Sequence, residues 1–123
     1  MKISKMMWYV AEGQAQMWFI AHGYNCKRAP VGHKDWDLDI EGAHVNVKFA
    51  NGKKRNHDEL QFFLRKHGNP CLTDYYLLTF SAKYNGKKIM DMYLVPRAIF
   101  ENKHQKTLYR GKLPKWLARY KLH

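Results

Sequence analysis

Trp36-Asp37-Leu38-Asp39-Ile40-Glu41-Gly42-Ala43-His44-Val45-Asn46-Val47-Lys48 is the stretch that decides the fold. It alternates with a period of two on both sides of a glycine. Trp36, Leu38 and Ile40 fall on one face, and Asp37, Asp39 and Glu41 on the other. Past Gly42, Val45, Val47 and Phe49 alternate with Asn46 and Lys48. The pattern predicts two short strands, 36–41 and 44–50, joined in a tight hairpin. One side of that hairpin is buried, and the other gathers Asp37, Asn46 and Lys48. An acid, an amide oxygen and a lysine on neighbouring strands can hold a divalent ion beside a phosphate.

Working outward, residues 4–22 are expected to form a helix, with Ser4 as its cap and Gly23 as its stop. Trp8, Ala11, Ala15, Trp18 and Phe19 lie on one stripe at helical spacing. Glu12 sits at the edge of that stripe, one side-chain width from the buried face, where most glutamates are plain surface residues. A strand over 24–29 and a loop over 29–34 lead into the hairpin. A second helix is predicted over about 57–67. Asn56 and Glu59 form an N-x-x-E start, Leu60, Phe63 and Leu64 face the core, and Gly68 and Pro70 end it. Thr73–Ala82 and Lys88–Val95 follow as strands around Asn85-Gly86, a strong hairpin-turn signal. Pro96 opens a short helix to about Asn102.

Composition bounds the rest. The 123 residues suit one domain, 1–123, with a core over about 4–95 and a basic extension over about 96–123. A hydrophobic fraction of 46% is enough to pack a core. No stretch is long and apolar enough for a membrane span, so a cytoplasmic or nucleoid setting and no membrane partner are expected. Cys26 and Cys71 lack C-x-x-C spacing and read as reduced thiols, and the seven His show no zinc-binding pair.

The formal net charge is +12 and the pI is about 9.8, which calls for an anionic partner, most commonly nucleic acid. Lys34 precedes the hairpin, and Lys53, Lys54 and Arg55 follow it in a Gly-bearing loop suited to backbone phosphates. No acid follows Glu101, whereas Lys112, Lys115 and Arg119 accumulate among Tyr109, Trp116 and Tyr120. Such a tail suits a nucleic-acid strand, either with its aromatics stacked on bases or with those rings packed inward and only the cations outward. A mixture is expected, with the rings mostly packed.

Asp37, the Gly turn and x-Val47-Lys48 resemble the core of the PD-(D/E)XK nuclease superfamily. That superfamily includes restriction endonucleases and archaeal Holliday-junction resolvases. Asp37 matches the family's first acid and Lys48 its lysine, while Asn46 stands where the family has a second carboxylate. The resemblance implies a restriction endonuclease-like α/β fold: an α-β-β-β-α-β core, followed here by a hairpin strand and a short basic helical tail. It implies that Asp37, Asn46, the Val47 carbonyl and Glu12 surround Mg²⁺, with Mn²⁺ as a substitute, and that Lys48 serves the attacking water or the phosphate. Gln61 takes the place of a Gln that several members carry near the site.

The function so implied is metal-dependent DNA endonuclease activity, structure-selective or restriction-like, on branched or duplex DNA, by a homodimer. Asn46 leaves three readings open. The site works with an amide, helped by Glu12 or Asp39. A substitution has replaced a native carboxylate. Or the chain is a non-catalytic nucleic-acid-binding module on a degenerate nuclease fold.

Overall fold

A computed structural model describes residues 3–30, 35–52, 55–66, 69–70, 72–84, 87–101, 103 and 105–123. Helix α1 runs Ile3–Ala21. Its end follows from Gly23, whose φ of 88° is the left-handed conformation that favours glycine. Gly23 N donates to Ile20 O at 3.1 Å and Tyr24 N to Phe19 O at 2.9 Å. The Tyr24 and Phe19 rings meet edge-on at 5.9 Å. This is a Schellman cap with its hydrophobic contact. Ser4 lies inside the helix rather than at its cap, because the helix already begins at Ile3.

Strand β1 is Cys26–Arg28, β2 is Leu38–Ile40 and β3 is Ala43–Ala50. The predicted hairpin is β2–β3, with Leu38 opposite Val45 and Ile40 opposite Ala43. Its turn is Glu41-Gly42, both at positive φ (51° and 95°), the conformation a two-residue hairpin turn needs. Asp39 Oδ1 accepts the Gly42 N–H at 2.9 Å.

Where a second helix was expected over 57–67, the chain instead forms strand β4, Glu59–Phe63, and the short strand β5, Arg65–Lys66. The buried residues are Leu60, Phe62 and Leu64, in a period of two, while Phe63 is 60% exposed. Four apolar residues within five positions satisfy both periodicities, and a distant strand settled the choice. Asn56 makes an Asx turn instead of a helix cap, its Oδ1 accepting the Asp58 N–H at 3.0 Å.

Strand β6 is Asn69–Pro70, β7 is Tyr75–Tyr84, β8 is Lys87–Pro96 and β9 is Gln105–Tyr109. The main sheet has the order β1-β2-β3-β7-β8. Its β3–β7 pair is parallel and its other pairs are antiparallel. Parallel neighbours need a crossover. Here β4 makes it over one face of the sheet, paired antiparallel with β9. Strand β9 had no expectation from the sequence, because the region was legible only as charge. Asn85, Gly86, His67, Gly68, Cys71 and Asn102 lie outside the described residues.

The sheet separates two cores. On one face, Ala11, Ala15 and Phe19 of α1 pack on Leu38, Ile40, Val45, Val47 and Leu77. Trp8 is not part of that stripe: it is 53% exposed. On the other face, Ala50, Leu78 and Phe80 pack on Leu60, Phe62, Leu108 and Leu117. Full burial of each Leu among them contributes about 1.5–3 kcal/mol. Leu117 arrives on a 3-10 turn, Lys115–Tyr120, so the basic tail is anchored in this second core. The shorter 3-10 turn Arg97–Phe100 starts after Pro96 as expected. Among the described residues, no helix is long and apolar enough to cross a membrane.

Candidate active site

Asp37 sits just ahead of β2, between β1 and β3. Its backbone is pinned on both sides: Asp37 N donates to Val45 O at 2.8 Å, and Ala29 N donates to Asp37 O at 2.9 Å. Its carboxylate Oδ2 accepts the Val47 N–H at 2.6 Å. The end of β2 therefore presents an acid to β3, as the hairpin register requires.

Glu12 reaches this acid from the helix. Ala11 and Ala15 bring α1 close to the sheet, and Glu12, half-buried between them on the helix edge, hydrogen-bonds Asp37. Burial first, and then the charge of Asp37, push the Glu12 carboxyl up to about 7, while Arg28 opposes the shift. Glu12 therefore holds its proton up to near neutral pH beside the Asp37 charge.

Asn46 is buried on β3. Its Nδ2 donates to the Asp35 backbone oxygen at 2.9 Å, which ties the 35–37 segment to the strand. Lys48 follows two residues on, on the same face of β3 and half-buried. Val45 and Val47 point the other way, into the core beneath α1. The Val47 main chain, through its N–H, lies against the Asp37 carboxylate.

Two residues beside the pair escaped the sequence reading. Arg28 Nε donates to Gln16 Oε1 at 3.2 Å, and Gln16 Nε2 donates to Cys26 O at 3.2 Å. The guanidinium lies 5.4 Å from the Tyr9 ring centroid and against Gly13, where a Cβ would come within 2.9 Å of it. Gln16 stands one helical turn after Glu12, the one signal that could have linked them. Nearby, the His44 ring stacks on Trp36 at 4.1 Å and lies 3.6 Å from Asp39. Trp36 thus leaves the face it was expected to share with Leu38 and Ile40, because its ring covers His44.

A comparison with solved structures decides the fold. The chain is similar to the bacterial homing endonuclease I-Ssp6803I. The TM-score is 0.69 at 20% identity, over 98% of this chain and 88% of that one. No family model matches the sequence, and no curated protein does. The likeness to I-Ssp6803I spans nearly the whole chain, and the nuclease-like α/β fold expected from the hairpin is the fold observed.

The remaining expected binding residues scatter more widely. Arg55 is exposed ahead of β4, and Lys112, Lys115 and Arg119 are exposed after β9. Gln61 lies on β4, where its Nε2 donates to Gln105 Oε1 of β9 at 2.7 Å. Lys34, Lys53 and Lys54 lie outside the described residues.

Among the described residues, no group of three or more His, Cys, Asp or Glu is arranged to hold a metal ion. The oxygen donors that converge are two carboxyls, Glu12 and Asp37. Two carboxyls in contact make a place where positive charge is favoured, and a hard divalent ion fits that donor chemistry. The Asn46 amide is buried on the neighbouring strand and bonded to Asp35 O.

Proposed function

We propose that this chain is a metal-dependent DNA endonuclease of the PD-(D/E)XK type. The observation that carries the proposal is the contact of Glu12 with Asp37 on the rim of a sheet whose next strand bears Lys48. The likeness to a homing endonuclease and the net charge of +12 support DNA as the polymer. Branched and duplex DNA are both candidate substrates, which the cleavage assay ranks.

In this reading Glu12 and Asp37 would hold Mg²⁺, or Mn²⁺ in its place, with the Asn46 amide oxygen and the Val47 carbonyl as neutral supplements. The ion supplies the positive charge that acidifies water and offsets charge on the phosphate. The chain's own residues do the rest. Asp37 is held in place by the Val47 N–H, so its carboxylate needs little reorganisation. Glu12 gives up its proton when positive charge arrives. Lys48 places an ammonium beside the scissile phosphate, where it stabilises the charge that develops during attack. Arg28 keeps Glu12 from rising further and holds the helix edge to β1.

A homodimer completes the proposal. Helix α1 carries one Lys and one Glu, and so is neutral on a strongly cationic chain. It exposes Tyr9, Val10, Met17 and Ile20. That face is where a second copy can approach with least repulsion.

The Asn46 amide bond to Asp35 O favours one second reading: a binding module in which Asn46 is purely structural. A cleavage assay on plasmid, linear duplex and four-way junction, with Mg²⁺ or Mn²⁺, separates the two. Nicking or cutting that is lost in Asp37→Asn and Lys48→Ala, with binding retained, supports the nuclease. Tight binding without cleavage on any substrate supports the module.

A further inference from the structure

The last 3-10 turn and the segment before β9 enclose a cavity of about 370 Å³, within the range of small-ligand sites. Three rings and three cations line it: Phe100, Trp116 and Tyr120, with Lys103, Lys106 and Arg119. No acid is among the described lining residues. The Glu12–Asp37 pair makes no use of it.

The rings are braced by their edges. Trp116 meets Phe100 at 6.0 Å and 72°, and Tyr120 at 6.3 Å and 66°. Trp116 and Tyr120 also pack against the second core, and each carries a cation over its ring. Lys106 Nζ stands 5.9 Å from the Trp116 ring centroid, and the Arg119 guanidinium 5.5 Å from that of Tyr120. A base that stacks on the indole takes the place of the Lys106 ammonium over the ring, and the ammonium then meets the phosphate beside that base.

The cavity also lies on the sheet face that Asn46 and Lys48 share. Asn46 is registered beside Tyr76 of β7. Tyr76 meets Phe100 edge-on at 6.0 Å, and Phe100 meets Trp116. Two ring contacts therefore lead from the strand of the candidate site to the cavity, on the side away from α1.

We infer that this cavity captures one unpaired nucleobase and its adjoining phosphate from a nucleic-acid strand. The base stacks on Trp116, and Lys103, Lys106 and Arg119 receive the phosphate. The chemistry that selects this ligand is the pairing of an aromatic platform with unopposed cations. Backbone charge alone would leave the indole idle. The inference needs a nucleic-acid partner but no cleavage, so it stands apart from the carboxylate site.

The test is binding in EDTA, to a blunt DNA duplex and to the same duplex bearing a short thymidine tail, read by anisotropy and tryptophan fluorescence. The tailed duplex binds about tenfold tighter and quenches the fluorescence. Trp116→Leu removes the preference and the added quenching while leaving blunt-duplex affinity unchanged. Trp116→Phe, which keeps a ring in the same packing, retains part of the preference and guards against a folding artefact. Lys106→Ala with Arg119→Ala weakens the tailed duplex more than the blunt one. Equal affinity for both duplexes overturns the inference, as does an equal loss on both in Trp116→Leu. A chain that prefers the tail but cuts nothing refutes only the nuclease reading.

Discussion

Glu12 on the helix hydrogen-bonds Asp37 at the rim of the sheet, and burial together with the Asp37 charge raises its carboxyl to about 7. The contact lies beside the polar bridge that Gln16 and Arg28 make between the same helix and β1. It also makes the site's protonation a property of the fold.

A stability profile against pH follows. Glu12 titrates near 4.5 when unfolded and near 7 when folded. Between those values the folded state holds more protons than the unfolded one, so stability falls as pH rises through this window. Above about pH 7 both states are ionised and the whole cost is present. After allowance for partial solvent screening, that cost is about 1–2 kcal/mol. Urea unfolding at pH 5 and pH 8 should show this drop in the parent chain and its absence in Glu12→Gln. An identical pH dependence in the two would mean that the fold does not raise the Glu12 carboxyl.

Asn46→Asp separates structure from ion binding. The parent amide donates to Asp35 O at 2.9 Å, whereas a carboxylate there would face that carbonyl with an acceptor. The variant should lose about 1–3 kcal/mol of stability without divalent ions. It should also bind Mg²⁺ more tightly by calorimetry, because a third negative charge joins Glu12 and Asp37. Unchanged stability would mean that the amide bond is not made, and unchanged ion affinity would remove Asn46 from the ion's surroundings.

Adjacent phenylalanines on β4 report on its strand character. Phe62 is 1% exposed and Phe63 60%. Phe62→Ala should cost about 3–5 kcal/mol, by loss of a large buried ring. Phe63→Ala should stay within about 0.5 kcal/mol. Chemical unfolding of the two variants measures this directly. A larger cost at Phe63 would restore the helical periodicity.

That pair also explains which parts of the molecule the sequence disclosed. Helix α1, its end at Gly23 and the Glu41-Gly42 hairpin are written in local signals: a stripe, a stop and a two-residue turn. Asp37, Asn46 and Lys48 were legible for the same reason, since one hairpin carries all three. Residues 59–63 were not, because Leu60, Phe62, Phe63 and Leu64 fit a helix and a strand equally, and the partner that decides is β9, far along the chain. The Glu12 contact was half-legible. Its position on the helix edge was visible, but whether the edge meets Asp37 depends on how α1 docks on the sheet. Arg28 and Gln16 act through the same docking and left no pattern of their own.

The same β4–β9 pairing draws together two basic segments that are separate in the sequence. Glu59 is opposite Tyr109, and Arg110 N donates to Asp58 O at 2.9 Å. The Arg110 guanidinium then bonds the backbone oxygens of His57 and Ser81. Arg55 ahead of β4 and Lys112 after β9 are thereby brought to the same end of the ribbon, both exposed. If that end rests on a DNA backbone, each cation releases about one counterion from the polymer. Arg55→Gln with Lys112→Gln should lower the slope of log affinity against log salt by about 2, with equal loss on unrelated sequences. Anisotropy titrations across a salt series in EDTA measure that slope. A change of about 1 would leave a single contact at this end, and an unaltered slope would move the DNA to another face.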